Sequence, residues 1–382
     1  MTRVPYRALA WFYFFYFAHL GTYGPYFSLY LDDAGMSAER IGIIMSLPLL
    51  VRIVAPHGWG WLADHLACRM PIVRAGLIAG LACFCAIVLD AGFGWIAAVI
   101  VVSSLFMSAV LPMIEVTTLG HVAGDSGRYG RIRLWGSVGF IVAVTGVGTA
   151  LDVMPVHWVI WFMLGALGAS ALSTWAIPDP PIERHASDTQ SIAQVFFRPE
   201  VLALIGACAL MSVAHGPYYS FFSIHLVGYG YSKTAIGWLW AIGVIVEVGV
   251  FWWMPRLFAT WPVRTVLIGS FALAALRFAL IAWTAQWIAT LLVAQLLHAA
   301  SFASFHAAAL AVLHRFFRGR HQARGQAIYS SLTFGVGGAL GALYSGYSWS
   351  GLGPAATYAI AAACAAAGAA LLAWKLRVPA AS

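Results

Sequence analysis

Long apolar runs and short polar breaks alternate along this chain. Runs at about 8–31, 41–63, 70–89, 94–119, 132–151, 154–177, 201–228, 234–254, 265–284, 287–313, 326–348 and 353–374 are each near the ~20 residues that carry a helix across a bilayer. They are too long and too uniformly apolar to be the alternating strands of a barrel, so the pattern predicts helices. Most breaks are brief: Gln286 and Ser350 barely interrupt their runs, and neighbouring helices must be antiparallel. One break is long. Pro178 to Pro199 holds Pro180, Pro181, Glu183, Arg184, Asp188 and Gln190. It predicts two six-helix halves, 1–177 and 200–382, joined by a cytoplasmic linker over 178–199. The first run lacks a small-residue cleavage site, so it reads as a retained helix and not as a signal peptide.

The two halves echo each other. Gly24-Pro25-Tyr26-Phe27-Ser28 returns 192 residues later as Gly216-Pro217-Tyr218-Tyr219-Ser220. Gly35, Ser37, Ile41 and Gly42 return at an offset of 195 as Gly230, Ser232, Ile236 and Gly237. At that offset Arg52 falls on Glu247. A half-chain repeat in a hydrophobic protein predicts two pseudo-symmetric bundles with a central site.

Composition agrees with a bilayer as solvent: 62% of residues are hydrophobic and 9% charged, where a soluble domain has roughly 25% charged residues. The net charge of +8 is no nucleic-acid signature, because it sorts by loop. With the N-terminus inside, seventeen of the 21 Lys and Arg residues fall in inside segments, and only Arg40 and Lys233 in outside loops. This predicts both termini in the cytoplasm, an even helix count and a multi-pass protein of the plasma (inner) membrane. The five cysteines sit in or beside helices without zinc-type spacing, so they read as apolar filler and no metal site is expected.

Four ionisable residues lie deep in the runs: Arg52, Glu115, Glu247 and Arg277. Each costs at least ~2.5–3.5 kcal/mol at a helix centre unless paired or hydrated. Two charges of each sign allow neutralisation across a shared cavity, with Arg52 facing Glu247; two structural ion pairs are the alternative. A carboxylate that gains and loses an arginine partner loads and releases a proton. His215, His298 and His306 add polar groups, and Tyr26 and Tyr218 are repeat-equivalent aromatic candidates for a cavity wall, or ordinary packing.

Three motifs carry a family resemblance. Gly60-Trp61-Leu62-Ala63-Asp64 resembles the start of the loop signature of the major facilitator superfamily, although its basic end is reduced to Cys68-Arg69. Tyr129-Gly130-Arg131-Ile132-Arg133-Leu134-Trp135-Gly136-Ser137-Val138-Gly139 resembles the fifth-helix start of lactose permease and, more closely, of the phenylpropionate permeases. Ala214-His215-Gly216-Pro217-Tyr218-Tyr219 and Leu297-His298 resemble the latter also. The resemblance implies an all-α proton symporter of twelve helices working by alternating access. It places substrate at Glu115 and Arg133, whose spacing of eighteen residues matches a carboxylate–arginine pair of lactose permease, and at Glu247; Tyr26, Tyr218 and Arg52, read from the repeat and the intramembrane charges, complete the expected set. It places proton coupling at Arg277 and His298. Lactose permease has a glutamate one turn after that histidine; Ser301 stands here, so Glu247 is expected to carry the proton, with Glu115 second. Asp64, with loop arginines such as Arg131, is expected to hold an inside-closed state.

The expected function is uptake of a small organic solute, best an aromatic carboxylate such as 3-phenylpropionate, driven by a proton gradient and without a bound cofactor. The expected partners are that solute, protons and the lipid bilayer, with no nucleic acid and a monomeric protein. A proton-driven exporter and a sugar or nucleoside symporter share the fold. An intramembrane enzyme would need a nucleophile–base set; His298 and Ser301 lie one turn apart, but no orienting acid follows. A receptor without transport would bind ligand without flux.

Overall fold

The computed structural model describes residues 4–89, 91–179, 192–318 and 321–378. Among them there is no strand. The long helices are α1 (Tyr6–Asp33), α2 (Ala38–Leu66), α3 (Met70–Leu89), α4 (Phe93–His121), α5 (Gly127–Leu151), α6 (Trp158–Ala176), α7 (Pro199–Gly228), α8 (Lys233–Thr260), α9 (Val263–Thr284), α10 (Ile288–Phe316), α11 (Arg324–Leu352) and α12 (Pro354–Lys375). Eleven are long and apolar enough to cross a membrane. The other, α1, has the length at 28 residues, but its hydropathy is diluted by tyrosines and a histidine that pack well in an interior. Most of the expected linker lies outside the described residues; its end holds one helical turn, Ala193–Phe196.

Part of the repeat is loop chemistry. Gly35 and Gly230 both take positive φ, at +76° and +84°, a conformation that costs glycine nothing. Two residues on, Ser37 and Ser232 cap the next helices: their hydroxyls accept from the backbone N–H groups of Arg40 and Ala235 at 3.5 and 3.1 Å. Each cap stabilises its helix start by about 1 kcal/mol. The Gly-Pro repeat behaves differently in its two copies. α1 runs unbroken through Pro25, whereas α7 breaks at His215, and Pro217 opens its second part.

The chain forms two compact units, Met1–His185 with Tyr231–Ala241, and Ala186–Gly230 with Ile242–Ser382. α8 therefore starts in the first and continues in the second. Inside the first unit α1 packs on α5 and α6, and α3 on α4 and α6. Inside the second, six helices later, α7 packs on α11 and α12, and α9 on α10 and α12. Lipid offers no hydrophobic drive between helices, so close backbone approach carries these contacts. A Cβ on Gly139 would collide with the Phe14 carbonyl, and one on Gly216 with that of Gly341. Large side chains left exposed, among them Trp175, Trp252, Trp283, Trp287 and Trp374, suit the interfacial belts of a bilayer.

An arginine clamp is also built twice. Arg74 of α3 donates to the carbonyls of Thr174 and Ile177 at the end of α6, at 3.2 and 2.9 Å. Arg264 of α9 donates to the carbonyls of Leu376 and Ala373 at the end of α12, at 2.8 and 2.7 Å. Both place a cation on orphan carbonyls at a negative helix end.

Candidate functional site

In the first unit the polar residues meet on α1, α4 and α5. α4 is interrupted at Ser108 and Ala109, and Glu115 lies on its second part, Val110–His121. Arg133 lies near the start of α5. Its Nε stands 3.7 Å from Glu115 Oε1, an ion pair without a tight hydrogen bond. The guanidinium stacks on Phe17 at 4.0 Å, with the Tyr13 ring at 5.5 Å. Gly136 makes this stack possible: a Cβ there would lie 2.8 Å from Arg133 Nη1 and 2.9 Å from the Phe17 ring. The pair is reachable, with side chains 30% and 37% exposed. Arg52 is exposed and lies within electrostatic range of Glu115. Two arginines thus attend one glutamate, leaving a local excess of one positive charge.

In the second unit a different cluster forms on α7, α8, α9 and α10. Arg277 is fully buried. Its guanidinium lies over the Tyr218 ring at 4.0 Å and near Phe278 at 5.1 Å. Nη1 reaches His215 Nε2 and Ser301 Oγ, both at 3.4 Å. His215 Nδ1 lies 2.8 Å from the Met211 carbonyl, so it carries the ring proton and Nε2 accepts from Arg277; the imidazole is neutral. Ser301 in turn donates to the His298 carbonyl at 3.0 Å. His298 Nε2 stands 4.0 Å from Glu247 Oε2. Tyr218 donates to Gln295 Oε1 at 3.1 Å. Gly243 keeps α8 close: a Cβ there would sit 3.1 Å from His298 and 3.2 Å from Gln295. The wall at Ser301 is a π-helical segment, Ala300–Ser304, an irregularity that is common at functional sites.

This cluster is incompletely satisfied. Arg277 makes no ion pair within 4 Å among the described residues. Arg277 Nε and Nη2, Gln295 Nε2 and His298 Nδ1 are buried without a hydrogen-bond partner. Cation–π stacking returns ~2 kcal/mol, less than the several kcal/mol that desolvating an ion costs.

The other sequence-predicted residues fall elsewhere. Asp64 and Arg131 are both exposed, and Asp64 forms no ion pair among the described residues. Tyr26 is fully buried, and its hydroxyl donates to the carbonyls of Val144 at 2.7 Å and Lys233 at 3.3 Å. Gln295 and Phe17 were missed. The sequence signal for Gln295 is a lone amide one turn before His298 in an otherwise apolar run. Asp152 was missed as well. Its carboxylate follows α5 and accepts from the backbone N–H groups of Lys233 and Thr234 at 2.8 and 3.0 Å, capping α8. Desolvation pulls its pKa upward, but the bonds from Thr234 and Lys233 outweigh this and hold it below the usual carboxylate range.

Residues 6–360 match the model of the MFS_1 like family. The chain belongs to that family. Among curated relatives of this MFS_1 like protein, the probable 3-phenylpropionic acid transporter of Escherichia coli (strain K12) is 26% identical over 355 residues, 91% of this chain and 92% of the relative. The maltose permease of Geobacillus stearothermophilus is 30% identical over 238 residues, 61% of this chain and 60% of the relative. Among solved structures, a mutant of the nucleoside transporter NupG superposes with a TM-score of 0.88 at 16% identity, covering 98% of this chain and all of the other; at that identity the likeness is one of fold. The chain is thus a multi-pass membrane transporter with the major facilitator architecture, and its relatives are transporters and not enzymes.

Proposed function

We propose that this MFS_1 like protein is a proton-coupled importer of a small aromatic carboxylate such as 3-phenylpropionate, working as a monomer in the plasma (inner) membrane with both termini in the cytoplasm. The observation that carries the proposal is the cluster of buried Arg277 and His298 with partly buried Glu247 inside apolar helices: a cation, an imidazole and a carboxylate that lipid exposure alone would select against. The 26% identical relative, a probable 3-phenylpropionic acid transporter, supports the substrate class. Within the first unit the candidate solute ligands are Glu115, Arg133 and Arg52; within the second they are Tyr218 and Glu247. Tyr26 belongs to the set once its hydroxyl leaves the Val144 carbonyl. Glu247 takes the proton beside His298, and the loss of its charge changes what Arg277 and His298 feel. Substrate and proton then bias one conformational equilibrium, and this bias is the physical content of coupling. Asp64 and Arg131 steady the cytoplasmic side.

The test is uptake of labelled 3-phenylpropionate into proteoliposomes under an inward proton gradient, repeated with a protonophore. Accumulation that vanishes with the gradient supports the proposal. Loss from preloaded vesicles without uptake makes the protein an exporter. Uptake of maltose or a nucleoside, and not of the acid, moves the substrate to those classes; the maltose permease relative favours a sugar over a nucleoside.

A further inference from the structure

We infer that the carboxylate of the transported solute is seated on Arg277 and Gln295 in the second unit, and that Arg133 is not its cation. This rests on the carboxylate-import reading and adds to it the group that receives the charge. Three observations decide between the arginines. Arg133 already has Glu115 at 3.7 Å, and its face is covered by Phe17. Arg52 is not buried and stands within electrostatic range of Glu115, so it too has a carboxylate to answer. Arg277 is fully buried, has no carboxylate within 4 Å among the described residues, and keeps two N–H groups, on Nε and Nη2, without an acceptor.

The surrounding acceptors are neutral and leave part of the guanidinium unused. Tyr218 carries both ends of the seat: the guanidinium lies on its ring face, and its hydroxyl donates to Gln295 Oε1. That bond orients the Gln295 amide and leaves Nε2, fully buried, as a second unpartnered donor. His215 meets Arg277 with its lone pair, so it adds no competing positive charge. Ser301 Oγ, the other acceptor on Arg277, stands at a long 3.4 Å in the π-helical segment. A guanidinium edge and an amide N–H, both held by Tyr218, suit the two oxygens of a carboxylate. A neutral amide or ester of the same solute offers one weaker acceptor and no charge.

The experiment is equilibrium binding to the purified full-length protein in nanodiscs. The probes are labelled 3-phenylpropionate, benzoate and 4-hydroxyphenylacetate, with 3-phenylpropanamide as the neutral counterpart. Wild type is expected to bind at least one acid and to prefer it at least tenfold over the amide. Gln295→Glu keeps the shape and the acceptor for Tyr218 but adds a negative charge to the buried cluster that holds Arg277. It is expected to weaken acid binding at least tenfold, to leave amide binding within about threefold, and to raise thermal stability. Arg277→Met is expected to abolish the acid preference. Acid binding unchanged in Gln295→Glu overturns the seat and leaves the import reading standing. Acid binding with no uptake into proteoliposomes overturns import and keeps the seat. No acid bound by wild type overturns both.

Discussion

Arg133 and Arg277 are the same side chain solved in two ways. Arg133 is neutralised by Glu115, stacked on Phe17 and about one third exposed. Arg277 is fully buried, stacked on Tyr218 and met by a neutral histidine and hydroxyls, with no carboxylate within 4 Å among the described residues. An exposed pair contributes at most ~1 kcal/mol, because water competes for both partners. A buried ion without a counter-ion costs several kcal/mol, more than stacking returns. The lesson is that the first unit holds a charge at little expense, while the second unit gives up stability to keep one. A protein that retains such a cost spends it on function.

The sharpest way to break the comparison is Arg277→Met. Uptake is expected to fall at least 100-fold, while thermal stability in detergent stays level or rises by up to about 1–4 kcal/mol, since a buried ion yields to an apolar side chain of similar volume. A melting temperature that drops steeply would show that Arg277 is structural. Next comes Glu247→Gln. Exchange of solute down its gradient should persist, but accumulation driven by protons should be lost; a variant that still accumulates solute removes Glu247 from the coupling role. Arg133→Gln should shift stability by less than ~1 kcal/mol while weakening solute affinity about tenfold, measured by competition binding. Equal melting shifts for the Arg133 and Arg277 variants would erase the contrast between the units.

Smaller effects sharpen the picture. Tyr218→Phe keeps the ring under Arg277 but leaves Gln295 Oε1 buried without its donor, which costs ~1–3 kcal/mol. Asp152→Ala removes the cap on α8 and should cost about 1 kcal/mol. Its pH dependence has a definite sign. The folded pKa lies below the ordinary value of ~3.9, so the contribution is complete at neutral pH and is lost only as pH falls through the lower, folded value. Melting curves for wild type and variant should stay parallel from about pH 5 to 8 and converge in stronger acid; a difference that closes near pH 6.5 would point to a histidine instead.

Much of the fold was legible because the bilayer is a uniform solvent. It demands one kind of helix, so apolar runs give span positions directly, and Glu115 and Arg133 stand out as charges against that background. Their eighteen-residue spacing across one tight connection is what the structure closes to 3.7 Å. Gln295 did not stand out, because an amide is cheap enough in lipid to be overlooked, and its importance comes from what α7 and α9 bring to it. Arg74 and Arg264 were read only as loop charges; their carbonyl partners lie 100 or more residues away and leave no local trace. Nothing near Asp152 in sequence announces that it caps α8, because its partners Lys233 and Thr234 lie more than eighty residues away. Tyr26 and Tyr218 show the limit of repeat reasoning: equivalent positions, one tied to backbone carbonyls and one beneath a cation. Once the copies diverge, symmetry carries over the backbone and not the chemistry.

The clamp from Arg264 onto Leu376 and Ala373 bears on how the protein is handled. A fluorescent reporter or purification tag joined after Val378 leaves both carbonyls in place. A junction cut back to Trp374 deletes Leu376, leaves the guanidinium with Ala373 alone, and loosens the end of α12 from α9 before any transport is measured.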